Sequence, residues 1–396
     1  MAESVITRGL QNTVPHEIVT QLLAHMRAGT THTVDTVMHL DSDIFVDPQI
    51  AKVERERVFG VAPIVAALGS ELAHPFDFIT KRLPRNEAII ARLGDGSVRA
   101  FINQCRHRGA TLIGDEAGHC RAFSCQYHGW SYDIGGQLRN ITFGDSFGAV
   151  NRATLGLVEL PAEERHGFIW IIDNPAATID VAEYLGPETD AALASYRIDQ
   201  MHLYRGRAFD EPVNWKIMHD AFLDGYHIKF AHPNSANRVV HTNVAVVEDH
   251  GRHARFASPR KSLDAWLEKD PEPGEPMAEH VMLTHFLGPN NTLLQLADNY
   301  QLLSFYPITD NPAESRMEMR LIVPRLEDSG ETEEAWTMKW EKNWHILQMV
   351  LAEEDFPILR GIQHAYGSAS RSGTVLGRNE VLNQAFHREV AALRDR

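Results

Sequence analysis

Cysteine is scarce in this chain, with three residues among 396, at positions 105, 120 and 125. So small and odd a number excludes a disulfide framework and points to a reducing compartment. No apolar run approaches the roughly 20 residues that a membrane-spanning helix needs. The opening Met1-Ala2-Glu3-Ser4 has neither the basic nor the apolar region of a secretory leader, so a cytoplasmic location is expected. Basic residues are also short, 38 against 53 acidic, for a formal net charge of −15. That balance argues against nucleic acid or an anionic membrane as partner. Neither an internal repeat nor a Gly-x-Gly-x-x-Gly fingerprint after an expected strand is visible, which excludes a repeat array and a dinucleotide fold within this chain.

What is present suggests a mixed chain of two domains, because 396 residues exceed the size at which single cores stop growing. Ile18, Leu22 and Met26 recur at helical spacing after Pro15, and a second helix is expected to begin around Asp47-Pro48 and run through Val53, Arg57, Val58 and Phe59. Beyond Pro75 the texture turns to short strands, at 76–80, 88–93 and 99–103, with Gly94-Asp95-Gly96 as a turn. The run Gly167 to Asp173 reads as a buried strand, and a domain boundary is expected near Pro175. Further on come a helix over 214–230, strands at 292–296 and 317–323, and a long helix from Thr332. That helix carries Trp336, Trp340, Trp344 and Leu347 on one face, a packing stripe.

Within the strand-rich part, Cys105-Arg106-His107-Arg108-Gly109 and Cys125-Gln126-Tyr127-His128-Gly129-Trp130 each offer one thiolate and one imidazole. A tetrahedral zinc site has the same ligand count but orders it Cys with Cys and His with His. Two mixed loops match instead the ligand set of a Rieske [2Fe–2S] cluster, in which two His replace two Cys on one iron and raise the reduction potential. Cys120 is left over, so no disulfide forms without dismantling that set.

The second constellation runs from Asn214-Trp215-Lys216 through Asp224-Gly225-Tyr226-His227 to His232-Pro233. On an ideal helix the two His lie about 140° apart, so they face one metal only if the helix ends or bends between them, as Pro233 suggests. A carboxylate from Glu353-Glu354-Asp355 would complete a 2-His-1-carboxylate triad with open positions on Fe(II). Asp355 also reads as the cap of a helix beginning at Pro357.

Together the two motifs resemble the catalytic alpha subunits of Rieske non-haem iron oxygenases, the aromatic-ring-hydroxylating dioxygenases, from about Asp47 to the C-terminus. The resemblance implies an α+β chain with an N-terminal Rieske β-domain and a C-terminal helix-grip catalytic domain, an antiparallel sheet around a long C-terminal helix. Residues 1–40 would be a helical extension, 41–175 the Rieske [2Fe–2S] domain with its flanks, and 176–396 the mononuclear iron domain. It makes Cys105, His107, Cys125 and His128 the cluster ligands. His227, His232 and Asp355 become the iron ligands, and Asp224 the acid that bridges the two centres of adjacent subunits. Met218, Phe222, Leu294, Leu296 and Phe305 are expected to shape the substrate pocket. The implied activity is cis-dihydroxylation of an aromatic compound, with O2 and with electrons from NADH through a separate flavin reductase or ferredoxin. A homotrimer is implied, possibly with a small beta subunit. Monooxygenation or oxidative O- or N-demethylation uses the same metals, and a Rieske electron carrier or sensor would need only the first domain.

Overall fold

The computed structural model describes residues 14–368 and 373–396. Met1 to Ser4, and with them the leader reading, lie outside the described residues. Two compact units emerge, Arg55–Tyr184 and a second made of the residues up to Glu54 with Leu185–Arg396. The contacts therefore divide the chain at Glu54 and Tyr184, where the sequence suggested 40 and 175. Among the described residues no helix is long and apolar enough to cross a membrane.

The unit Arg55–Tyr184 is built from antiparallel strands. Five of them form one sheet in the order Glu159–Leu160, Val98–Ile102, Glu87–Arg92, Asp77–Arg82, Ala117–His119. A second sheet pairs Ala162–Arg165, Phe168–Ile171 and Ile64–Leu68, and a third pairs Ala122–Ser124, Ser131–Asp133 and Leu138–Asn140. Phe168 to Ile171 are wholly buried, as a strand covered on both faces should be. The turn at Gly94-Asp95-Gly96 closes on a Leu93 N–H to Ser97 carbonyl bond of 2.8 Å, with Gly96 at φ +88°. Cys105 and Cys125 are part of the apolar core of this unit, among Phe78, Phe101, Phe123, Trp130 and Tyr132.

In the other unit, seven antiparallel strands form one sheet in the order Met201–Glu211, Ser315–Pro324, Tyr300–Pro307, Asn291–Gln295, Val281–Leu287, His253–Pro259, Val246–His250. The N-terminal helix His16–Ala28 buries Ile18, Val19, Leu22 and Leu23 against Val246, Ala257, Val281 and Leu283. It is amphipathic as expected, and its apolar stripe ties it to this sheet. The expected helix over 214–230 is two short ones, Trp215–Asp220 and Ile228–Ala231. The break has a local cause: Asp224 Oδ1 accepts the backbone N–H groups of Tyr226 (2.7 Å) and His227 (3.0 Å), an Asx turn that competes with the helix ladder.

The long helix starts where expected, with Thr332 capping Ala335 N, and runs Glu333–Met349 with Trp340 and Trp344 buried. It then widens into a π turn, Val350–Asp355, and continues as Phe356–Tyr366. Pro357 supplies a cause, since it cannot donate to the carbonyl of residue 353 and its ring crowds that carbonyl. Asp355 is not a cap: its backbone is helical, at φ −80° and ψ −61°, and its side chain makes no capping bond.

Two buried polar contacts lock the helix Trp215–Asp220 in place. Gln363 Oε1 accepts Asn214 N at 2.8 Å, while Gln363 Nε2 and Asn214 Nδ2 both donate to the Phe45 carbonyl. Lys216 Nζ lies 2.6 Å from Glu54 Oε2, both side chains 1 % exposed, and Trp215 Nε1 donates to the same oxygen at 3.0 Å. Burial pushes the Lys216 ammonium below its usual range, and Glu54 opposes that only in part. Removing one partner strands the other charge, so Glu54→Ala is expected to cost about 3–5 kcal/mol of stability. Urea unfolding checks this, and a loss below about 1 kcal/mol, the range of an exposed pair, would show that water reaches the site.

Candidate metal centres

The two Cys/His loops have one and the same backbone plan. In the first, Cys105 N donates to Ala110 O at 2.8 Å and Gly109 N to Cys105 O at 3.0 Å. In the second, Cys125 N donates to Trp130 O at 2.8 Å and Gly129 N to Cys125 O at 2.9 Å. Each loop closes on a glycine in the left-handed region, Gly109 at φ +78° and Gly129 at φ +69°, which is why glycine follows each ligand pair at that distance. The loops meet at their imidazoles: the His107 and His128 ring centroids are 4.5 Å apart, and Trp130 stacks on His107 at 4.8 Å.

These residues fit a metal cluster on grounds other than spacing. His107 Nδ1 is buried and has no hydrogen-bond partner, an arrangement that is costly unless the nitrogen is reserved for a metal. Burial, then His128 and Arg108, hold its imidazole below the usual histidine range, in the neutral form that metals take. All three cysteines are free thiols, with Cys105 and Cys125 buried. Tyr132 Oη accepts Arg106 N at 3.0 Å and sits 3.4 Å from Cys105 Sγ. Burial, then the neighbouring thiol, push the phenol upward, so it keeps its proton and would donate it to the sulfur of a metal-bound thiolate. Hydrogen bonds to ligand sulfurs are one lever on cluster potential.

The second centre is assembled in the other unit from two distant stretches. Ligand atoms of His227, His232 and Asp355 all lie within 4.8 Å of one another. The helix Ile228–Ala231 is a single turn flanked by the two His, and His232 leaves it at φ −121°, ψ 46°. The bend required by the spacing is thus present, and the ring centroids approach to 5.2 Å. Each imidazole has its Nδ1 on a carboxylate: His227 on Asp224 Oδ1 at 3.1 Å, His232 on Glu354 Oε2 at 2.7 Å. Both Nε2 atoms remain for the centre, and that of His232 is 3.2 Å from Asp355 Oδ1. Such carboxylate–histidine pairs fix the tautomer and orientation of metal-binding imidazoles.

Burial works to lower the His232 imidazole, but Asp355 and then Glu354 overcome it and hold it above the usual range. A field that favours a proton there favours a metal cation equally. Burial raises the Glu354 carboxyl, yet the Ser235 hydroxyl and His232 hold it below its usual range, and Ser235 Oγ donates to it at 2.5 Å. Glu354, a rival ligand by sequence, therefore grips the far nitrogen of His232. Sequence reasoning missed that role and Ser235 with it, because adjacent residues point about 100° apart on an ordinary helix; the π turn brings both carboxylates to one imidazole. Asp224 does contact His227, though through the Asx turn and not as a neighbour on one helix.

His227 and Asp355 open on a cavity of about 500 Å³, which Asp220, Asp224, Glu380 and Asn383 also line. Its apolar wall comes from Phe45, Ile217, Ile358, Ile362 and Tyr366. Met218, Phe222, Leu294, Leu296 and Phe305 do not line it. Phe222 and Phe305 instead pack on each other at 5.4 Å, Met218 and Phe305 are fully buried, and Leu294 and Leu296 are half-buried. Distant segments converge on the cavity, so spacing along one helix gave no sign of them.

Comparison with known proteins agrees with this arrangement. Residues 198–395 match the family model of the ring hydroxylating alpha subunit (catalytic domain), and residues 64–150 match the Rieske [2Fe-2S] domain. The anthranilate 1,2-dioxygenase large subunit of Acinetobacter baylyi is 29% identical over 212 residues, 52% of this chain and 45% of that one. The large oxygenase component of the naphthalene 1,2-dioxygenase system of Ralstonia sp. is 33% identical over 205 residues, 48% and 43% of the two chains. The chain thus spans less than half the length of these curated relatives. Among solved structures, a quaternary ammonium Rieske monooxygenase in complex with L-carnitine superposes with a TM-score of 0.72 at 20% identity, over 97% of this chain and 99% of that one. Naphthalene 1,2-dioxygenase from Rhodococcus sp. gives 0.70 at 18%, over 96% and 98%. At these identities the likeness speaks to the fold alone.

Proposed function

The chain belongs to the family of ring-hydroxylating alpha subunits, and from that premise we propose that it is the terminal oxygenase of a Rieske non-haem iron system acting on a small organic compound. The family implies a Rieske [2Fe–2S] cluster and a mononuclear iron. Cys105, His107, Cys125 and His128 hold the first, and His227, His232 and Asp355 the second. The observation that carries the reading is the closure of His227, His232 and Asp355 to within 4.8 Å beside a cavity, in a chain that also bears the paired loops.

When bound, these groups supply two electrons for O2 reduction and open positions on Fe(II). The residues themselves orient and exclude. Asp224 and Glu354 hold the Nδ1–H groups of the two His, so each imidazole presents Nε2. The apolar wall limits water at the centre, which strengthens every charge interaction there.

Cis-dihydroxylation of an aromatic ring is the first reaction assigned, supported by the apolar wall. Monooxygenation or oxidative demethylation is the second, favoured by the carboxylates Asp220, Asp224 and Glu380 that share the cavity and suit a more polar substrate. Electrons come from NADH through a separate flavin reductase or a ferredoxin. The working form is a homotrimer, with or without a small beta subunit, in which the cluster of one subunit serves the iron of the next. Tyr226 and Phe230, 50% and 72% exposed beside His227, suit such a contact.

Purified protein should contain about three irons per chain, against about two for a bare carrier, and give the rhombic EPR signal of a reduced Rieske cluster. With a reductase, NADH and a panel of organic compounds, product mass separates a gain of two oxygens and two hydrogens from a gain of one oxygen or loss of a methyl. A colourless, zinc-loaded protein would sink the reading.

A further inference from the structure

Asp220 closes the helix Trp215–Asp220 and lines the cavity, with a side chain 22% exposed. Behind it, on the helix Val381–Arg394, stands His387, only 3% exposed, whose Nε2 lies 2.9 Å from Asp220 Oδ2 and 3.2 Å from Oδ1. Asn383, one turn earlier, donates its Nδ2 to the Asp220 carbonyl at 2.9 Å and to Oδ1 at 3.1 Å. The carboxylate is thus held from behind while it stays accessible.

Asn383 shows that an amide is enough to orient this carboxylate. A buried imidazole costs desolvation, and what it adds over an amide is a proton that can move. The other carboxylates along the cavity have different engagements: Asp355 joins the metal centre, Asp224 binds His227, itself part of that centre, and Glu380 accepts the Gly377 N–H. Among the described residues, Asp220 alone joins the cavity to a buried imidazole that no metal centre uses.

The reaction proposed above consumes what such a pair can supply. Each oxidation takes up O2, two electrons and two protons, whether both oxygens enter the product or one leaves as water. The electrons come through the metals, but the protons must reach a cavity whose wall, at Phe45, Ile217, Ile358 and Ile362, is apolar.

We propose that Asp220 and His387 form a proton store that delivers one of these two protons to the oxygen being reduced. The proposal rests on the oxygenase reading. The loaded pair is a carboxylate beside an imidazolium. The proton leaves His387 Nε2 for Asp220 Oδ2, and Asp220 passes it to the oxygen, so that a carboxylate and a neutral imidazole remain. Solvent returns the proton between turnovers.

Two variants separate storage from support. His387→Gln keeps an N–H donor at nearly the same reach but no mobile proton, and Asp220→Asn keeps the shape without the charge. Both are expected to load iron and cluster as the wild type does, and to slow product formation in a single turnover about 100-fold. The double variant should lose no more than either alone, as members of one unit do. Apart from turnover, nitrogen NMR of histidine-labelled, assembled protein with zinc in the mononuclear site reads the His387 imidazole. Its signal is the one that His387→Gln removes or, should that variant not fold, the one that Asp220→Asn shifts. On acidification this imidazole is expected to take up a second proton, and at lower pH in Asp220→Asn, where the favourable charge is gone. The other groups around the pair are Lys216 and Glu54, which oppose each other, Arg394, His219, which burial keeps neutral, and the carboxylates Asp224 and Glu380.

Product formation at the wild-type rate in His387→Gln, the result of a merely orienting role, overturns the proposal. So does an imidazole that stays neutral at every pH at which the protein is folded. The oxygenase reading fails by a different observation, wild-type protein without mononuclear iron or without product, whereas the proposal fails with wild-type turnover intact.

Discussion

Asp355→Ala is expected to abolish oxygenation and to empty the mononuclear site while the Rieske spectrum stays as it was. Asp355 Oδ1 is the carboxylate oxygen that approaches His232 Nε2, the nitrogen facing the centre, and the side chain is only 6% exposed. Removing it leaves two neutral imidazoles to hold a dication, so both ligand number and charge compensation fall. The cluster loops belong to the unit Arg55–Tyr184, with a separate core, and should keep their iron. Glu354→Gln calibrates the effect. It touches the outer nitrogen of His232 and the Ser235 hydroxyl, and outer partners of this kind are worth about 10–100-fold in affinity or activity, so the loss at Asp355 should be larger. Iron analysis beside EPR checks both variants. Full iron and turnover in Asp355→Ala, with loss in Glu354→Gln, would exchange their roles.

Asp224→Asn should leave both metals bound and slow the oxidation of the reduced cluster by O2 and substrate about 100-fold. Asn is as good as Asp at accepting backbone N–H groups in a turn or cap, so the bonds from Tyr226 and His227 survive and the fold of 221–227 is kept. What is lost is the negative charge on His227 Nδ1, and with it the acceptor proposed to reach His128 of an adjacent subunit. Rapid-mixing absorbance of the reduced cluster reads the step directly. Reoxidation at the normal rate in a fully metallated variant would remove Asp224 from the electron route. Asp220 would be the next candidate, although its carboxylate is already engaged by His387 and Asn383.

Much of the site was legible because its chemistry is local. In the cluster loops, the Cys/His pair and its glycine fall within five residues, so spacing alone picks them out. The His pair was legible with a condition attached, a bend between 227 and 232, and the one-turn helix meets it. Strand edges over 291–295 and 315–324 lie within a few residues of those expected, since burial patterning governs both.

The misses share a different origin. An Asx bond from Asp224 breaks the helix expected over 214–230, and local side-chain bonds of this sort leave no mark in apolar periodicity. Glu354 and Asp355 look interchangeable in sequence, and only the widened turn gives them opposite sides of one ring. The cavity draws on Phe45, Ile217, Tyr366 and Glu380, positions that no window along the chain brings together.

The π turn at Val350–Asp355 has a consequence for how this protein can change. Such a turn is an ordinary helix carrying one surplus residue, so its phase shift is local and the flanking segments keep their own registers. Trp340 and Trp344 stay packed before it, and Leu359 and Gln363 after it. The length of the chain at this point, and not merely its composition, thereby encodes the orientation of the carboxylate pair. Loss of a single codon there would spare the packing on either side and erase the metal-facing geometry alone, a kind of change that substitution tables never sample.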